Sequence, residues 1–318
     1  MSASMLHVSV LQRFVAGFSG GFVLAFHEIS PQRLAELVDS LRPAEPIQLS
    51  ELVKRSRQGK STSGLLAITV DDGVGDNVRS LARLANAKAW PTTFYLPTQY
   101  LDTGEGMIFQ WWRLLKPLLP RRRFELKSGV IDLSSPGSLE KMSRKMELQW
   151  HSQRPESYFP FTMELLEIVL RERGLPGSAI RPDPPITWAE VTALSKNDLI
   201  RFESHGVSHA AMSSLTGEEL VFEMKQSRDT VTEHTGRECR HLAYPFGDWQ
   251  SIGARAVATA ARFYDSAVTM SRGHVDSAHP WLLPRIPLYP DNSTLLAKLK
   301  ILLKSISLTA PKQGGVAA

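Results

Sequence analysis

Two short polar stretches of this chain together contain the residue types of an open metal site. Asp71 and Asp72 directly follow Leu65–Val70, an apolar and β-branched run that is typical of a buried strand. His205 and His209 follow a second strand-like run and lie four residues apart. Imidazole and carboxylate suit Zn, Fe, Co or Ni, and a position left open on such an ion can activate water. The pairing therefore points to a hydrolase.

The two adjacent acids allow two roles. A carboxylate that a cation neutralises is a poor proton acceptor, so one Asp would bind the metal while its neighbour stays free as a base. The alternative is a turn, Asp71-Asp72-Gly73, that caps a helix predicted over 77–88. The two imidazoles would lie on one face if the chain turns helical over 205–209, although an isolated pair at this spacing is more often structural.

A third segment, residues 241–249, runs from a short strand into a Pro/Gly turn. Such a turn can direct a backbone N–H at a developing oxyanion, and its aromatic side chains can form a wall for a sugar ring. Tyr244, Pro245 and Trp249 are therefore candidate substrate-binding residues. The alternative is an ordinary connection between a strand and the alanine-rich helix predicted over 252–262.

The three segments, in this order, resemble the motifs of the polysaccharide deacetylase family. The catalytic region of this family is also called the NodB homology domain, and it is similar to that of carbohydrate esterase family 4. Residues 69–73 are similar to T-F-D-D-G, 205–209 to H-(S/T)-x-x-H, and 243–247 to R-x-P-Y-G. The resemblance extends over roughly 23–289. Further segments similar to those of one subgroup of the family are 24–30, 109–112 and 283–287.

The resemblance implies a role for each motif residue. Asp71 would be the general base, and the backbone amide of Phe246 would bind the oxyanion. The ligands of one divalent ion would be Asp72, His205 and His209. Zinc is the first choice for that ion, with Co, Ni or Fe as alternatives. The implied reaction is attack of metal-activated water on an N-acyl carbonyl, which releases acetate from an amino sugar.

The chain departs from the family pattern in the second motif. Gly206 stands where the family usually has Ser or Thr. We expect this change to be mild, because Ser204 and Ser208 are close enough in sequence to hydrogen-bond there.

Two catalytic groups of the family have no obvious counterpart. Ala243 stands where an arginine usually orients the base, so either Arg285 or another cation substitutes, or the base is less well held. No clear L-x-H motif supplies a general acid. His274 is our candidate for this role, and His279 is a second candidate. The alternative is that each is an ordinary histidine of a surface loop without a catalytic role.

Strand-like runs alternate with helical stretches along most of the chain, as in βα units. The predicted strands are 23–26, 65–70, 92–96, 199–203, 241–243, 264–269 and 284–289. Three motifs at strand ends, in 318 residues of which 42% are hydrophobic, favour a distorted α/β barrel of the (β/α) type in one domain, 1–318. Residues 102–188 are predicted to form a mostly helical insertion over the barrel mouth, or else a peripheral decoration, and 311–318 a flexible tail.

Composition adds expectations about partners and location. A net charge of +5 is a mild bias towards acidic partners, and without a recognised motif it predicts no nucleic-acid binding. The basic, amphipathic segment 295–304 would close the barrel or contact an anionic membrane surface. No signal peptide is recognised, and the single cysteine, Cys239, excludes an internal disulfide, so we expect a cytoplasmic protein. This location favours a lipid-linked or nucleotide-linked sugar over a finished polymer, with an oligosaccharide as a further candidate.

Two other functions use the same residues. A sugar-binding protein that has lost catalysis would explain the missing arginine and general acid. A non-haem iron oxygenase also binds its metal through two histidines and a carboxylate. The closely spaced His-x-Asp of such oxygenases is absent here, and a free Asp71 beside the metal ligand favours hydrolysis.

Overall fold

Parallel strands form the main sheet of this protein, whose computed structural model describes residues 20–293 except 128, 272, 274 and 276–277, with the backbone alone at 156 and 157. The strands are β1 (Phe22–Phe26), β2 (Glu45–Pro46), β3 (Leu65–Val70), β4 (Thr92–Leu96), β5 (Arg123–Leu126), β6 (Gly129–Asp132), β7 (Ile200–Ser204), β8 (His241–Ala243), β9 (Ser266–Val268) and β10 (Arg285–Pro287). The sheet order is β10-β1-β3-β4-β7-β8-β9, and β2 pairs with β3.

The sheet curves until its two edges almost meet. Val268 at the end of β9 forms a parallel bridge with Leu283, two residues before β10. The Leu283 amide donates to the carbonyl of Ala267 at 2.9 Å. Because this bridge connects the first and last strands of the sheet order, the strands enclose a nearly closed barrel, and the barrel predicted from the sequence is confirmed.

Both faces of the barrel strands are buried, which explains their continuous apolar runs. Side chains such as Ile68 and Phe94 point outward and pack against the surrounding helices. Their neighbours Ala67 and Tyr95 point into the barrel with Val268. The alternation of strand side chains thus separates an outer helical layer from a barrel interior. Each strand predicted from the sequence is present within about two residues of its expected bounds.

Helices cover the outside of the barrel and form most of the insertion. They are α1 (Pro31–Asp39), α2 (Leu49–Arg57), α3 (Gly75–Lys88), α4 (Thr98–Thr103), α5 (Ile108–Leu115), α6 (Ser138–Trp150), α7 (Pro155–Glu172), α8 (Trp188–Leu194), α9 (Gly217–Thr235) and α10 (Trp249–Phe263). Helix α7 begins at Pro155, and proline is compatible with the first turn of a helix because its missing N–H would have no partner there.

The insertion has an apolar core of its own. Trp112 of α5, Trp150 of α6 and Leu165 of α7 are buried together in it. The strands β5 and β6 add an antiparallel hairpin that the sequence did not predict, and its Phe124 packs into the same core. Helices therefore make up most of this region, as expected, but not all of its regular structure.

Several predictions concern residues outside the described part of the chain. They are the assignment of His274 as general acid, the role of segment 295–304 and the flexible tail 311–318. Among the described helices, none is long and apolar enough to cross a membrane.

Candidate active site

The predicted metal ligands lie together at the C-terminal ends of the barrel strands. The Oδ1 atom of Asp72 lies 3.6 Å from Nε2 of His205 and 3.5 Å from Nε2 of His209. Ligands about 2.1 Å from a tetrahedral ion are separated by about 3.4 Å, so these two spacings suit an ion between the three groups. All three ligand atoms lie within 4.8 Å of one another, and all three residues are buried.

The carboxylate of Asp72 is left without a full set of partners. Its Oδ1 atom is buried and no hydrogen-bond donor satisfies it among the described residues. Burial alone would raise the pKa of Asp72, but His209, with His27 and His205, holds that pKa below its usual range. An ionised, unsatisfied carboxylate between two imidazoles fits a divalent cation.

Backbone geometry, rather than a helix, brings the two histidines together. Residues 205–211 form a loop, so the helical turn considered over 205–209 is wrong. Gly206 has φ of 78° and His209 has φ of 56°, and these left-handed residues bend the loop after β7. Asp72 shares this conformation with φ of 75°. This conformation strains residues other than glycine, and such strain at both Asp72 and His209 is typical of functional sites.

His205 is fixed in the tautomer that a metal requires. Its Nδ1 atom donates to the carbonyl of Ala243 at 2.7 Å, so Nε2 faces the site as the unprotonated nitrogen. Burial lowers the pKa of His205 to about 4, which keeps the imidazole neutral near pH 7. The position where the family has an arginine thus contributes a backbone carbonyl to the site.

Glu223 of α9 fixes the loop of residues 205–211 through hydrogen bonds. Its Oε2 accepts the amide of Val207 at 2.6 Å, and its Oε1 accepts the hydroxyl of Ser208 at 2.5 Å. A Cβ atom at Gly206 would lie 2.9 Å from Oε2, so this carboxylate and the positive φ explain the glycine. The Gly206 amide donates to Ser204 Oγ at 3.2 Å, and both serines therefore hydrogen-bond at this loop as predicted.

Sequence reasoning missed Glu223, although the sequence carries a signal for it. The buried stripe of α9 consists of Leu220, Glu223, Met224, Ser227 and Val231. A glutamate inside a helical apolar stripe needs a buried hydrogen-bond partner.

Glu223→Ala is expected to weaken metal binding without touching a ligand. Two amides and a hydroxyl would lose their acceptor, so we expect a loss of about 1–3 kcal/mol in unfolding free energy. Metal affinity should fall about 10–100-fold, because the loop that positions His205 and His209 loosens. Denaturant titration and a competitive metal-chelator titration measure the two effects. Glu233→Ala, an exposed change on the same helix, is the control, and equal behaviour of the two variants would contradict this role.

The second acid of the pair has a different partner. Arg285 of β10 donates to both oxygens of Asp71, from Nη1 at 2.6 Å and from Nη2 at 2.7 Å. Arg285 is fully buried, and it also donates to Thr69 and to the carbonyl of Thr269. Burial alone would raise the pKa of Asp71, but the Arg285 guanidinium, together with His205 and His27, holds that pKa below its usual range. The arginine missing from the third motif therefore has a counterpart at the position that the sequence suggested.

Arg285→Gln is expected to lower the unfolding free energy by about 3–5 kcal/mol, because it leaves the Asp71 carboxylate buried without its cation. The double variant Asp71→Asn/Arg285→Gln should lose less than the single one, since no charge remains buried. Denaturant unfolding of both variants, with Asp71→Asn to complete the cycle, gives the coupling free energy. Arg113→Gln breaks an exposed pair with Glu28 and should cost at most about 1 kcal/mol. Additive effects in the cycle would show that the pair is not coupled.

The Asp71-Asp72-Gly73 turn does not cap the helix that follows. Helix α3 has Val74 at its N-cap and no side-chain capping bond. The capping alternative is therefore wrong, and both carboxylates are left for the site.

The third motif forms the turn that the sequence predicts. Phe246 has φ of 62°, and the Gly247 amide donates to the carbonyl of Pro245 at 2.7 Å. A Cβ atom at Gly247 would lie 2.7 Å from the Met270 amide, so only glycine fits this close approach. The Phe246 ring lies 4.9 Å from the His209 ring, which places this residue beside the candidate metal ligands.

The three candidate substrate residues differ in their exposure. Tyr244 is fully buried in the helical layer, where its hydroxyl donates to the carbonyl of Trp281 at 3.1 Å. Pro245 is buried as well. Trp249 at the start of α10 is 61% exposed and has a free face for a ligand. We therefore leave Tyr244 out of the proposed substrate surface, because its side chain has no surface to offer a sugar.

The helical insertion borders this site. The Phe109 ring of α5 lies 5.7 Å from His209, and the His151 ring lies 4.5 Å from Phe246. Nδ1 of His151 also lies 2.6 Å from Oδ2 of Asp248, next to Trp249. These contacts favour an insertion over the barrel mouth, rather than a peripheral decoration.

A further imidazole in the site was overlooked as a catalytic group. Nε2 of His27, in the segment after β1, lies 3.9 Å from Oδ2 of Asp71, and its side chain is 40% exposed. The sequence signal was available, because His27 directly follows a strand that neighbours β3. A histidine at a strand end in this barrel is a candidate for catalysis, as the other motif residues are.

Comparison with known proteins places these features in a family. The family model described as polysaccharide deacetylase matches residues 58–263, which is more than half of the chain. A search of curated protein sequences gives no match.

Solved structures share the fold at low sequence identity. The deacetylase PplD from Streptococcus pyogenes, in complex with acetate, is 14% identical with a TM-score of 0.57, covering 89% of this chain and 98% of its own. The BpsB deacetylase domain from Bordetella bronchiseptica is 15% identical with a TM-score of 0.55, covering 86% and 97%. IcaB from Ammonifex degensii is 12% identical with a TM-score of 0.55, covering 91% and 98%. At these identities the likeness establishes the fold alone.

Proposed function

Because this chain belongs to the polysaccharide deacetylase family, we propose that it removes the N-acetyl group of an amino sugar by metal-dependent hydrolysis. The observation that carries the proposal is that two adjacent carboxylates have different partners. Asp71 is paired with Arg285, whereas Asp72 faces His205 and His209. One carboxylate thus lies outside the proposed ligand set and can act as the base, while the other can bind a cation.

Each group around the cluster has a role in this reaction. A divalent ion held by Asp72, His205 and His209 would lower the pKa of a water molecule and polarise the acyl carbonyl. Asp71 accepts the proton from that water, and Arg285 fixes the orientation of the carboxylate that does so. The backbone N–H of Phe246 donates to the oxygen that becomes negatively charged.

The leaving amine needs a proton donor, and we assign this role to His27. It lies 3.9 Å from Asp71 and is open to solvent on one side, so a substrate at the cluster can reach it. Imidazole is the side chain that acts most often as a general acid. His151 differs in position, because it contacts Asp248 and Phe246 at the edge of the site, and we assign it to the substrate wall with Trp249.

His27→Asn and His151→Asn should therefore change different kinetic constants. His27→Asn is expected to lower kcat about 100-fold with little change in KM, because it removes a proton transfer. His151→Asn is expected to raise KM several-fold with a small change in kcat, because it removes a substrate contact. Steady-state acetate release measures both constants. The reverse pattern would assign the proton donor to His151.

The substrate and the location are proposed from the sequence. The family implies an N-acetylated carbohydrate, and we propose a lipid-linked or nucleotide-linked precursor in the cytoplasm, with peripheral membrane contact through segment 295–304. A sugar-binding protein without catalysis is not favoured, because Arg285 lies on the proposed base and His27 is close enough to donate a proton.

Acetate release from a panel of N-acetylated sugars tests the proposal. Free, nucleotide-linked and lipid-linked sugars are incubated with metal-stripped protein and with protein reloaded with Zn, Co or Ni. We expect release from one class of sugar, only with metal, and not by Asp71→Asn. Absence of release from every class by metal-loaded protein would contradict de-N-acetylation and favour another acyl group or ligand binding alone.

A further inference from the structure

A cavity lies at the opposite end of the barrel from the proposed active site. It has a volume of about 760 Å³ and lies between α2 and the first residues of β4 and β7, beside His241 at the start of β8. The metal cluster follows the last residues of the same parallel strands, so the two sites occupy opposite ends. A volume in this range accommodates a small metabolite.

The cavity arises where two neighbouring strands separate. Pairing between β7 and β8 is confined to Ser204 and Leu242, near the far end of β7. Nearer the cavity, Glu203 fills the gap by accepting the amide of Arg240 at 2.7 Å and the amide of His241 at 2.8 Å. The strands are therefore held apart by a side chain, and the opening is a built feature of the barrel.

Cations predominate over acids in the lining of this cavity. The cationic side chains are Lys54, Arg57, Arg201, Arg237 and Arg240, and the acidic ones are Glu51, Glu203, Glu238 and Asp265. Glu238 and Asp265 both pair with Arg240, at 2.5 and 3.0 Å. The carboxylate of Glu203 accepts hydrogen bonds from two backbone amides, as described above. The acids of the lining thus leave Arg201 without a carboxylate partner among the described residues.

Three nitrogen atoms of the lining are buried and have no hydrogen-bond partner among the described residues. They are Nη1 of Arg201, Nη1 of Arg237 and Nε2 of His241. His241 is only 3% exposed, and its other ring nitrogen lies 2.8 Å from Ser266 Oγ. Arg237 uses its second nitrogen to bind Asp198 at 2.9 Å. Buried polar atoms without partners are costly, and several of them around one cavity indicate a missing acceptor-rich ligand.

We propose that this cavity binds a small molecule that carries a phosphate group. Guanidinium groups recognise phosphate through paired, charge-assisted hydrogen bonds. The two arginine nitrogens come from β7 and from the segment before β8, so they reach the cavity from different directions. The tetrahedral oxygens of a phosphate accept from several directions, whereas a carboxylate offers two oxygens in one plane. This site is independent of the proposed deacetylation.

Calorimetric titration of the metal-loaded, full-length protein tests the proposal. The probes are inorganic phosphate, pyrophosphate and glucose 1-phosphate at constant ionic strength. Together they distinguish a free anion from an esterified one. The variants are Arg201→Gln, Arg237→Gln and the double change, with the exposed Arg144→Gln as the control. Phosphate that coordinates the catalytic metal contributes equally in every variant, so differences between variants report on this cavity.

We expect at least one probe to bind the unaltered protein, with affinity about tenfold weaker in each single variant and unchanged in Arg144→Gln. Arg201→Lys keeps the charge but loses the planar fork, so it should bind with intermediate affinity and serves if a glutamine variant misfolds. Equal affinity in the double variant, or no binding to the unaltered protein at millimolar probe, would overturn the proposal and leave a solvent-filled cavity.

Discussion

Asp71→Asn is expected to lower turnover by about 10²–10⁴-fold while metal remains bound. Asparagine has the shape of aspartate, and its amide oxygen can still accept a hydrogen bond from Arg285. It cannot accept a proton from water at neutral pH, so the proposed base is lost. The metal should stay, because the three proposed ligands are untouched. Acetate release and metal content of the purified protein measure the two outcomes.

The control for this variant is Asp76→Asn, which makes the same change at an exposed position that pairs with Arg79. It should leave both turnover and metal content unchanged. Full activity in Asp71→Asn would mean that another group accepts the proton. Loss of metal from Asp71→Asn would instead mean that Asp71 belongs to the ligand set, which would reverse the division of roles between Asp71 and Asp72.

The barrel could be predicted from the sequence because its strands are buried on both faces. Leu65–Val70, for example, is apolar apart from Thr69, and it ends in a polar motif where the strand leaves the core. The apolar residues therefore indicate the strand, and the polar residues that follow them indicate where it ends. The hairpin of β5 and β6 was missed because its strands are short and largely exposed, so they lack this signal.

The candidate ligands could be named from residue types and the family resemblance, but the geometry that brings them together could not be predicted. His205 and His209 have the spacing of a helical pair, yet Gly206 and His209 adopt left-handed backbone in a loop. That loop depends on Glu223, which lies on another element. Local sequence gives no information on such a distant acceptor, so the helical interpretation was the simpler one.

Partners that are distant in the sequence account for the rest of the site. Arg285 and Asp71 meet because β10 and β3 both pair with β1. Sequence alone could nominate Arg285 as a substitute for the missing arginine, but only the strand order brings the two side chains together. The sequence shows that His27 directly follows a strand, but its distance to Asp71 follows from the pairing of β1 with β3.

Asp72→Asn is expected to abolish metal binding and activity together without unfolding the protein. The backbone at Asp72 is left-handed, with φ of 75°, and asparagine tolerates this conformation about as well as aspartate does. The change therefore removes the negative charge and keeps the turn. Metal affinity should fall by more than about 100-fold, which exceeds the usual effect of a residue that only supports a ligand.

Stability in the presence of zinc separates this effect from misfolding. In the unaltered protein, free zinc at 100 times its Kd should add about 2.7 kcal/mol of stability and raise Tm by several degrees. Asp72→Asn should show no such rise, and its Tm without metal should stay close to that of the unaltered protein, because asparagine keeps the left-handed turn. Asp72→Ala should lose the zinc effect too, but with a lower Tm, because alanine is strained at this φ. A zinc-dependent rise in Tm that persists in Asp72→Asn would remove Asp72 from the ligand set and with it the proposed division of the two carboxylates.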